Sequence, residues 1–352
     1  MDITALLTDA VNKKVSDIFI CANSQIMYKI SGEFKPAGEA KLSPGDTSDI
    51  VTTLYKMAND RDMEPLIQSG DDDFSISIPG VSRFRVNVYK QRGAYAAVIR
   101  IISFDLPTPE EIGIPEIVMD LADSKRGLVL VTGTAGSGKS TTLACIIDRI
   151  NNNRSGHIIT LEDPLEYFHR HKKSLVSQRE ISFDTESYIK ALRASLRQAP
   201  DVVLLGEMRD HETISVAMTA AETGHLVLSS LHTVGAAHTI DRIVDSFPPN
   251  QQNQVRIQLS MVLQAVVSQQ LIPTVDGKIA PAFEIMFTTN ALSNMIREAK
   301  SHQMDQVIQS SAALGMITMD TSILNLYKKG IISKEHALAY SVNNEIMAKR
   351  LT

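Results

Sequence analysis

The feature that most constrains this chain is the segment Gly133-Thr-Ala-Gly-Ser-Gly-Lys-Ser140, which is followed by Thr141. It has the form G-x-x-x-x-G-K-[ST], in which closely spaced glycines let the backbone wrap around a phosphate group. The apolar run Leu128 to Val131 precedes it, and a helical pattern over 141–150 follows it. A strand, a glycine-rich bend and a helix N-terminus in this order predict a loop whose amide groups point at phosphate oxygens.

In such a loop the lysine and the residue after it have separate tasks. Lys139 is expected to bridge the β- and γ-phosphates of ATP, and the hydroxyl of Ser140 is expected to ligate Mg²⁺. The predicted cofactors are therefore ATP and Mg²⁺. The candidate nucleotide-binding residues are Gly133, Thr134, Ala135, Gly136, Ser137, Gly138, Lys139, Ser140 and Thr141.

The region around the loop alternates short apolar runs with helical stretches. The runs are Leu128 to Val131, His157 to Leu161, Val202 to Leu205 and Leu226 to Leu231. This alternation predicts βαβ units around a buried parallel sheet, and hence an α/β core. Because the carboxyl ends of parallel strands meet at one edge, the residues after each run are expected to lie near the phosphate loop.

Acidic side chains follow two of these runs. Glu162, Asp163 and Glu166 come after the second run, where a solvated acidic turn is an equal interpretation of the segment alone. Glu207 follows the third run, which resembles a Walker B strand with Gly206 where many such strands carry aspartate. Hydrolysis needs a polarised water, and Glu207 is well placed to orient it or to hold a metal-bound water.

Histidines and arginines supply further candidates. His225 and His232 bracket the fourth run, and His232, at its carboxyl end, is expected to face the nucleotide and to sense the γ-phosphate. A lone histidine is nevertheless more often a surface or core residue. Arg193 and Arg197 are spaced i, i+4 on a helical stretch, a pattern that is usual for a solvated face.

The first hundred residues mix short helices and strands. The run Arg83 to Tyr89 alternates cleanly, which places Arg85 on one face and apolar residues on the other. Gln91-Arg92-Gly93 separates it from the apolar run Ala94 to Ile102, a pattern that predicts a hairpin in an antiparallel sheet. Arg100 interrupts the second run, so it has to find an anion or reach solvent. Motor ATPases use such side chains as arginine fingers on the transferring phosphoryl group.

These changes of pattern predict four parts. An N-terminal α+β domain covers residues 1–104, and a linker with three prolines covers 105–115. The α/β core covers 116–290, and a helical C-terminal subdomain covers 291–352.

Composition limits the partners and the compartment. The formal net charge of −5 gives no overall basic field, so nucleic acid is disfavoured, although a local patch or an oligomeric ring would escape this argument. No apolar run approaches the roughly 18–20 residues that span a bilayer, and the N-terminus lacks the positive charge of a signal peptide. Cys21 and Cys145 belong to no Cys-x-x-Cys pair. A cytoplasmic protein is expected.

Together the motifs resemble those of the type II/type IV secretion ATPase superfamily, over nearly the whole chain. The resemblance is carried by Gly133–Thr141, Thr160-Leu-Glu-Asp-Pro-Leu-Glu166, Gly206-Glu-Met-Arg-Asp210, Ala221-Glu-Thr-Gly-His-Leu-Val227 and Ser230-Leu-His-Thr233. Within the superfamily the chain is most similar to the pilus-retraction ATPases of twitching motility. The segments that support this branch are Arg83-Phe-Arg-Val-Asn87, Gln178-Arg-Glu180, Thr239-Ile-Asp-Arg242 and Ile296-Arg-Glu-Ala-Lys300.

The resemblance implies an ATP-hydrolysing motor, built as a homohexameric ring of subunits with a PAS-like N-terminal domain and a RecA-like P-loop core. ATP turnover would change the relative orientation of the two domains, and the ring would turn a platform protein in the inner membrane so that pilins leave the fibre. The implied partners are further copies of this chain, the platform protein and other pilus motor ATPases. The implied location is the inner face of the cytoplasmic membrane.

The resemblance also assigns roles to single residues. Glu162, Asp163 and Glu166 match the family's Asp box, and Glu207 matches its catalytic glutamate. The His box is matched by His225 and His232, the N-domain arginines that approach the nucleotide by Arg85 and Arg100, and the paired arginines of the core by Arg193 and Arg197. The resulting catalytic candidates are Lys139, Glu166, Glu207, His232, Arg85 and Arg100.

Two positions depart from the family pattern. Retraction ATPases usually carry Asp-Leu-His near their start, where this chain has Asp17-Ile18-Phe19. In the tail they more often have Arg-Asn where it has Ser293-Asn294. The departures fall on an N-terminal contact and on the tail to which the family's retraction function is attributed.

Three other functions stay open on the sequence. An assembly or secretion ATPase that extends fibres usually carries a long extra N-terminal domain and a four-cysteine zinc site, which two cysteines cannot form. A non-hydrolysing regulatory paralogue is disfavoured by the intact Lys139, Glu207 and His232. A nucleic-acid translocase shares the core fold, but the acidic charge balance gives it no support.

Overall fold

The computed structural model describes residues 2–30, 32–102 and 106–351. They form two compact units, one made of the residues before 106 with Glu166–Phe168, the other of Leu106–Leu165 with the chain from His169 onwards. The predicted boundary between N-terminal domain and linker, at residues 104 and 105, lies outside the described residues. Each unit has hydrophobic clusters of its own.

The first unit contains a six-stranded antiparallel sheet, as the hairpin pattern predicts. Its elements are α1 (Ile3–Asn12), β1 (Asp17–Ile20), β2 (Gln25–Ile30), β3 (Glu33–Lys41), α2 (Pro44–Met57), α3 (Glu64–Ser69), β4 (Asp71–Ile78), β5 (Ser82–Gln91) and β6 (Ala94–Ile102). The strand order is β3-β2-β1-β6-β5-β4. A two-residue turn joins β5 to β6, and both of its residues, Arg92 and Gly93, have positive φ, as tight hairpins require.

The alternation predicted for β5 is confirmed. Phe84, Val86 and Val88 are fully buried, whereas Arg85 lies half-buried on the other face. Arg85 directly opposes Arg100 on β6. Because opposite residues of neighbouring strands share a face, the two arginines lie side by side.

The second unit is a mostly parallel sheet with helices on both faces. Its strands are β7 (Gly127–Thr132), β8 (His157–Glu162), β9 (Leu175–Glu180), β10 (Val202–Leu205), β11 (Leu226–Leu231), β12 (Leu263–Pro273) and β13 (Ile279–Phe287). Its helices are α4 (Glu116–Met119), α5 (Lys139–Asn153), α6 (Tyr188–Ser195), α7 (His211–Glu222), α8 (Ala236–Asp245), α9 (Pro249–Val262), α10 (Asn290–Arg297), α11 (Met304–Ser310), α12 (Met319–Lys328), α13 (Lys334–Tyr340) and α14 (Asn344–Arg350). Short 3₁₀ turns cover 120–123, 301–303 and 312–314.

The strand order in the second sheet decides which loops become neighbours. It is β13-β12-β7-β11-β10-β8-β9, and every pair is parallel except β12 with β13. The four predicted parallel strands are therefore confirmed. Thr132 at the end of β7 pairs with Leu231, and Leu205 at the end of β10 pairs with both Ser229 and Leu161. The carboxyl ends of β7, β8, β10 and β11 thus lie at one edge.

The sheet separates two hydrophobic clusters. Leu128 and Leu130 of β7 belong to the cluster with α6 to α11, and Val129 and Val131 to the cluster with α4 and α5. Burial on both sides explains why these strands are continuous apolar runs. In the helical tail, α12 to α14 form a small cluster with Ile272 and Ala282 of the β12–β13 hairpin.

One expectation for the helices is wrong. Arg193 lies on α6, but the helix ends at Ser195, so Arg197 is in the following turn. Pro200 follows closely, and Ala199 has a positive φ of 50°, so the chain cannot continue as a helix. In the part of the chain that the structure describes, none of the helices has the length and apolar character to cross a bilayer.

Candidate active site

The phosphate loop leaves the carboxyl end of β7 in a conformation that needs glycine. Gly133, Gly136 and Gly138 have φ values of 144°, 75° and 86°, which L-residues rarely adopt. Space is also short at Gly133. A Cβ added there would lie 2.5 Å from the hydroxyl oxygen of Ser137, and closer still to the backbone oxygen of Gln269. α5 begins directly after the loop, so the predicted order of strand, loop and helix is confirmed.

The ammonium group of Lys139 is held against the loop. Its Nζ donates to the backbone oxygens of Gly133 at 2.9 Å and of Thr134 at 2.8 Å, and the residue is buried. The hydroxyl of Ser137 is also buried, without a hydrogen-bond partner among the described residues. A buried cation and an unsatisfied hydroxyl therefore meet at the N-terminus of α5, whose partial positive charge adds to them.

Gln269 on β12 forms the wall behind this loop. Its side-chain oxygen accepts a buried hydrogen bond of 2.7 Å from the hydroxyl of Thr142. Its amide nitrogen would lie 2.9 Å from a Cβ added at Gly138. β12 pairs in parallel with β7, and this pairing brings Gln269 to the loop.

Glu207 and His232 meet at the same edge of the sheet. Nε2 of His232 lies 3.1 Å from one carboxylate oxygen of Glu207, and the guanidinium of Arg209 hydrogen-bonds the other oxygen. The side chain of Glu207 is 15% exposed, whereas those of His232 and Arg209 are 57% and 62% exposed. β11 lies between β10 and β7. Glu207 therefore follows a strand, β10, whose axis is two interstrand distances, or about 10 Å, from that of β7.

Opposing effects set the pKa of Glu207. Burial raises it, but the hydrogen bond and charge of Arg209, followed by the contact with His232, outweigh burial and hold the pKa below its ordinary value. Glu207 is therefore a carboxylate at neutral pH. Each oxygen of a carboxylate has two acceptor positions, so Glu207 can accept a hydrogen bond from water besides those it already makes.

Gly206, where many Walker B strands carry aspartate, has little room for a side chain. A Cβ there would lie 3.0 Å from the hydroxyl of Tyr188 and 3.3 Å from the backbone oxygen of Leu161. Burial, and then the negative charges of Asp163 and Glu207, raise the pKa of Tyr188. A protonated phenol therefore lies beside the acidic ends of β8 and β10.

Of the three acids that follow the apolar run of β8, two lie at this edge of the sheet. Glu162 is the last residue of β8 and is half-buried, and Asp163 follows it and is exposed. Glu166 is exposed and belongs to the segment that groups with the first unit.

The remaining candidates of the second unit do not contact Glu207. His225 precedes β11, at the end opposite His232, and its Nδ1 hydrogen-bonds the backbone oxygen of Ala220 at 3.0 Å. Arg193 and Arg197 are exposed, and Arg197 donates to the backbone oxygen of Arg193 at 3.1 Å.

In the first unit Arg85 and Arg100 form a separate cluster with two acids. Nε of Arg100 donates to Asp17 at 2.8 Å, and the side chains are 68% and 8% exposed respectively. Nε of Arg85 lies 3.8 Å from a carboxylate oxygen of Asp73, and Asn87 lines the same pocket. An arginine within an apolar run is expected to find an anion or to reach solvent. Arg100 does both, because it binds the carboxylate of Asp17 and its side chain is exposed.

Sequence reasoning missed several residues of these clusters. The missed residues are Asp17, Tyr188, Arg209 and Gln269. Only Arg209 had a local signal, a cation two positions after the candidate acid on an exposed turn. The others depend on contacts between segments far apart in sequence.

Comparison with known proteins gives one family. The family model of the type II/IV secretion system proteins matches residues 1–337. The type IV pilus retraction ATPase PilT of Pseudomonas aeruginosa is 45% identical over 337 residues, 96% of this chain and 97% of PilT. The type IV pilus ATPase PilU of the same organism is 40% identical over 342 residues, 97% of this chain and 89% of PilU.

A solved structure extends the similarity to the fold. A crystal structure of the pilus retraction motor PilT with bound ADP has a TM-score of 0.91 to this chain at 43% identity and covers 99% of both. The mixed α/β architecture with a parallel-rich sheet is therefore the one found in that motor. The chain belongs to the type II/IV secretion system protein family.

Proposed function

We propose that this chain is an ATPase motor that drives retraction of type IV pili. The observation that carries the proposal is the arrangement at one sheet edge, where the Lys139 loop follows β7 and the Glu207–His232 pair follows β10 and β11. Its similarity to PilT over nearly the whole length of both chains supports the same activity.

The residues of the loop fit a nucleotide triphosphate. Three glycines of the loop have positive φ, and backbone bends of this kind can direct successive amides at phosphate oxygens. Lys139 supplies a buried cation, and the unsatisfied hydroxyl of Ser137 supplies a donor. Thr134, Ala135 and Gly136 at the tip are exposed and accessible to the phosphates.

We propose Mg²⁺ as the metal. Ser140, half-buried at the second position of α5, would provide a hydroxyl ligand, and Glu207 would hold a metal-bound water. Hard oxygen donors of this kind suit Mg²⁺. When bound, the metal neutralises charge on the β- and γ-phosphates.

In the proposed reaction Glu207 accepts a hydrogen bond from the water that attacks the γ-phosphorus in line. Arg209 helps to hold the pKa of Glu207 below its ordinary value against the effect of burial, which favours the carboxylate form that accepts hydrogen bonds. We expect His232, which contacts Glu207 through Nε2, to sense the γ-phosphate. Lys139 compensates the negative charge that builds up on the phosphate oxygens, and ADP and phosphate are the products.

The proposal also includes further residues of this chain, its assembly into a ring and its protein partners. Arg85 and Arg100 act as arginine fingers in a homohexameric ring, and Glu162, Asp163, Glu166, His225, Arg193 and Arg197 support the nucleotide site or the subunit contacts. The ring docks on a platform protein at the inner face of the cytoplasmic membrane and works beside other pilus motor ATPases. No nucleic-acid partner is proposed.

The chemistry is tested by phosphate release at steady state. We expect Glu207→Gln to bind ATP with near wild-type affinity and to lose at least about 100-fold in kcat, the scale of losing one group that stabilises the transition state. Lys139→Ala should lose nucleotide binding. A wild-type rate no higher than that of Glu207→Gln would refute the enzyme assignment.

The mechanical role is tested in cells that lack the chain. Wild-type protein should restore twitching, whereas Glu207→Gln should leave cells with abundant pili that do not retract. Loss of pili instead of loss of retraction would favour the assembly ATPase.

A further inference from the structure

The loop that carries His232 is fastened by two side chains that face each other across the β12–β13 hairpin. Ser268 on β12 directly opposes Glu284 on β13. The hydroxyl of Ser268 accepts a hydrogen bond of 2.9 Å from the backbone N–H of Gly235. The carboxylate of Glu284 accepts one of 2.7 Å from the N–H of the next residue, Ala236. Two successive amides after His232 are therefore bound by neighbouring side chains of one hairpin.

Glu284 also binds a second helix. Its other oxygen accepts a hydrogen bond of 3.2 Å from the N–H of Met319, the first residue of α12, while Ala236 is the first residue of α8. First-turn amides have no partner inside their own helix, and no side chain caps α8 through its N-cap residue, Gly235. One buried carboxyl group thus supplies an acceptor to the starts of two helices. Burial raises the pKa of Glu284, and the two N–H groups that it binds oppose this shift.

We propose that Glu284 is a positioning residue for His232 and that it couples the hydrolytic edge to the C-terminal helices. The inference rests on the proposed function, because it takes His232 to act in hydrolysis. The contacts are continuous from Met319 through Glu284 to Ala236, and from there through a short loop to His232 and Glu207. A movement of α12 therefore displaces the loop that holds the histidine.

Glutamine at position 284 breaks this link with little change of volume. The amide of glutamine has one acceptor oxygen, and its NH₂ group cannot accept a hydrogen bond from a backbone N–H. In Glu284→Gln one of the two helix-start amides is left buried without a partner. Such a loss costs about 1–3 kcal/mol, or about 5- to 150-fold if it falls on the catalytic step.

The test compares steady-state kinetics of Glu284→Gln and Ser268→Ala in the wild-type and His232→Ala backgrounds. We expect each substitution to lower kcat about tenfold in the wild-type protein and to change the KM for ATP less than about twofold. In the His232→Ala background neither should lower kcat further. The matched control is Ser333→Ala, which removes the cap of α13 in the same tail and should lower the unfolding temperature without changing kcat.

Three results would overturn the proposal: an unchanged kcat, a KM that rises in proportion to the fall in kcat, or the same fold-loss in the His232→Ala background. If Glu284→Gln does not fold, Ser268→Ala decides by the same criteria. If His232→Ala retains full activity, the assigned role of His232 fails. The contacts are then judged by amide hydrogen exchange: Glu284→Gln should accelerate exchange at Ala236 or at Met319, whichever amide loses its acceptor, and unchanged exchange at both amides refutes the proposal.

Discussion

Alanine at Gly133 should damage the phosphate loop far more than alanine at Gly136, although both glycines have positive φ. At Gly136 an added Cβ meets no atom within 4 Å, so only backbone strain of about 1–3 kcal/mol is introduced. At Gly133 the Cβ lies 2.5 Å from the hydroxyl of Ser137 and still closer to the carbonyl oxygen of Gln269. A carbon–oxygen contact of about 3.4 Å is ordinary, so the loop has to move by about 1 Å.

The size of the difference follows from this overlap. Overpacking of a close-packed site costs about 1–3 kcal/mol. The carbonyl oxygen of Gln269 belongs to the strand β12, which cannot move aside as a flexible side chain can. Because ATP binding needs the undistorted loop, this cost should appear as a further weakening of ATP affinity of about 5- to 150-fold beyond that of Gly136→Ala.

The assay is titration of each purified variant with a fluorescent ATP analogue, with thermal unfolding as a check that the core is folded. Gly133→Ala should bind at least about fivefold more weakly than Gly136→Ala. Equal affinities would refute the reasoning, because they would mean that close packing against Gln269 and Ser137 has no effect on the loop.

Three further outcomes are expected. In Arg209→Ala the hydrogen bond and charge of Arg209 no longer lower the pKa of Glu207, and only the weaker effect of His232 still opposes burial. The acid limb of the pH–rate profile should therefore move to higher pH, whereas Arg209→Lys should keep it. An unmoved limb would contradict this assignment. Gly206→Ala should lower kcat, because its Cβ meets the hydroxyl of Tyr188 at 3.0 Å, and Tyr188→Phe added to it should restore part of the rate. Gln269→Ala should raise the KM for ATP about tenfold, because a buried hydroxyl loses its acceptor, and an unchanged KM would remove Gln269 from the site.

The sequence predicts the centre of the α/β core well, because buried parallel strands leave uninterrupted apolar runs. Val202 to Leu205 and Leu226 to Leu231 coincide with β10 and β11. β3 was not predicted, since it is exposed along almost its whole length and contains Pro36 and Gly38, which are depleted in strands.

At the candidate site too, the sequence predicts only those residues whose position follows from a local strand pattern. Each of three candidate groups follows an apolar run that is predicted to be a parallel strand: Gly133 to Thr141, Glu207 and His232. The rule that the carboxyl ends of parallel strands meet at one edge therefore predicts that these residues lie close together. Gln269 reaches the loop only because β12 pairs with β7, and no local pattern reports that pairing. His225 and His232 bracket β11, and their order in the sequence correctly places His225 at the amino end of the strand, away from Glu207.

Of the four strands predicted for the core, β11 comes last in the sequence. In the sheet, however, it lies between β7 and β10. The sheet edge is therefore incomplete until a distant segment has inserted itself, which makes the binding surface a product of long-range closure. A ligand of that surface recognises the finished fold and has little affinity for the unfolded chain. By mass action, ATP at one hundred times its dissociation constant would then raise the free energy of unfolding of the core by about 2.7 kcal/mol. The stability of the protein would therefore depend on the concentration of its substrate.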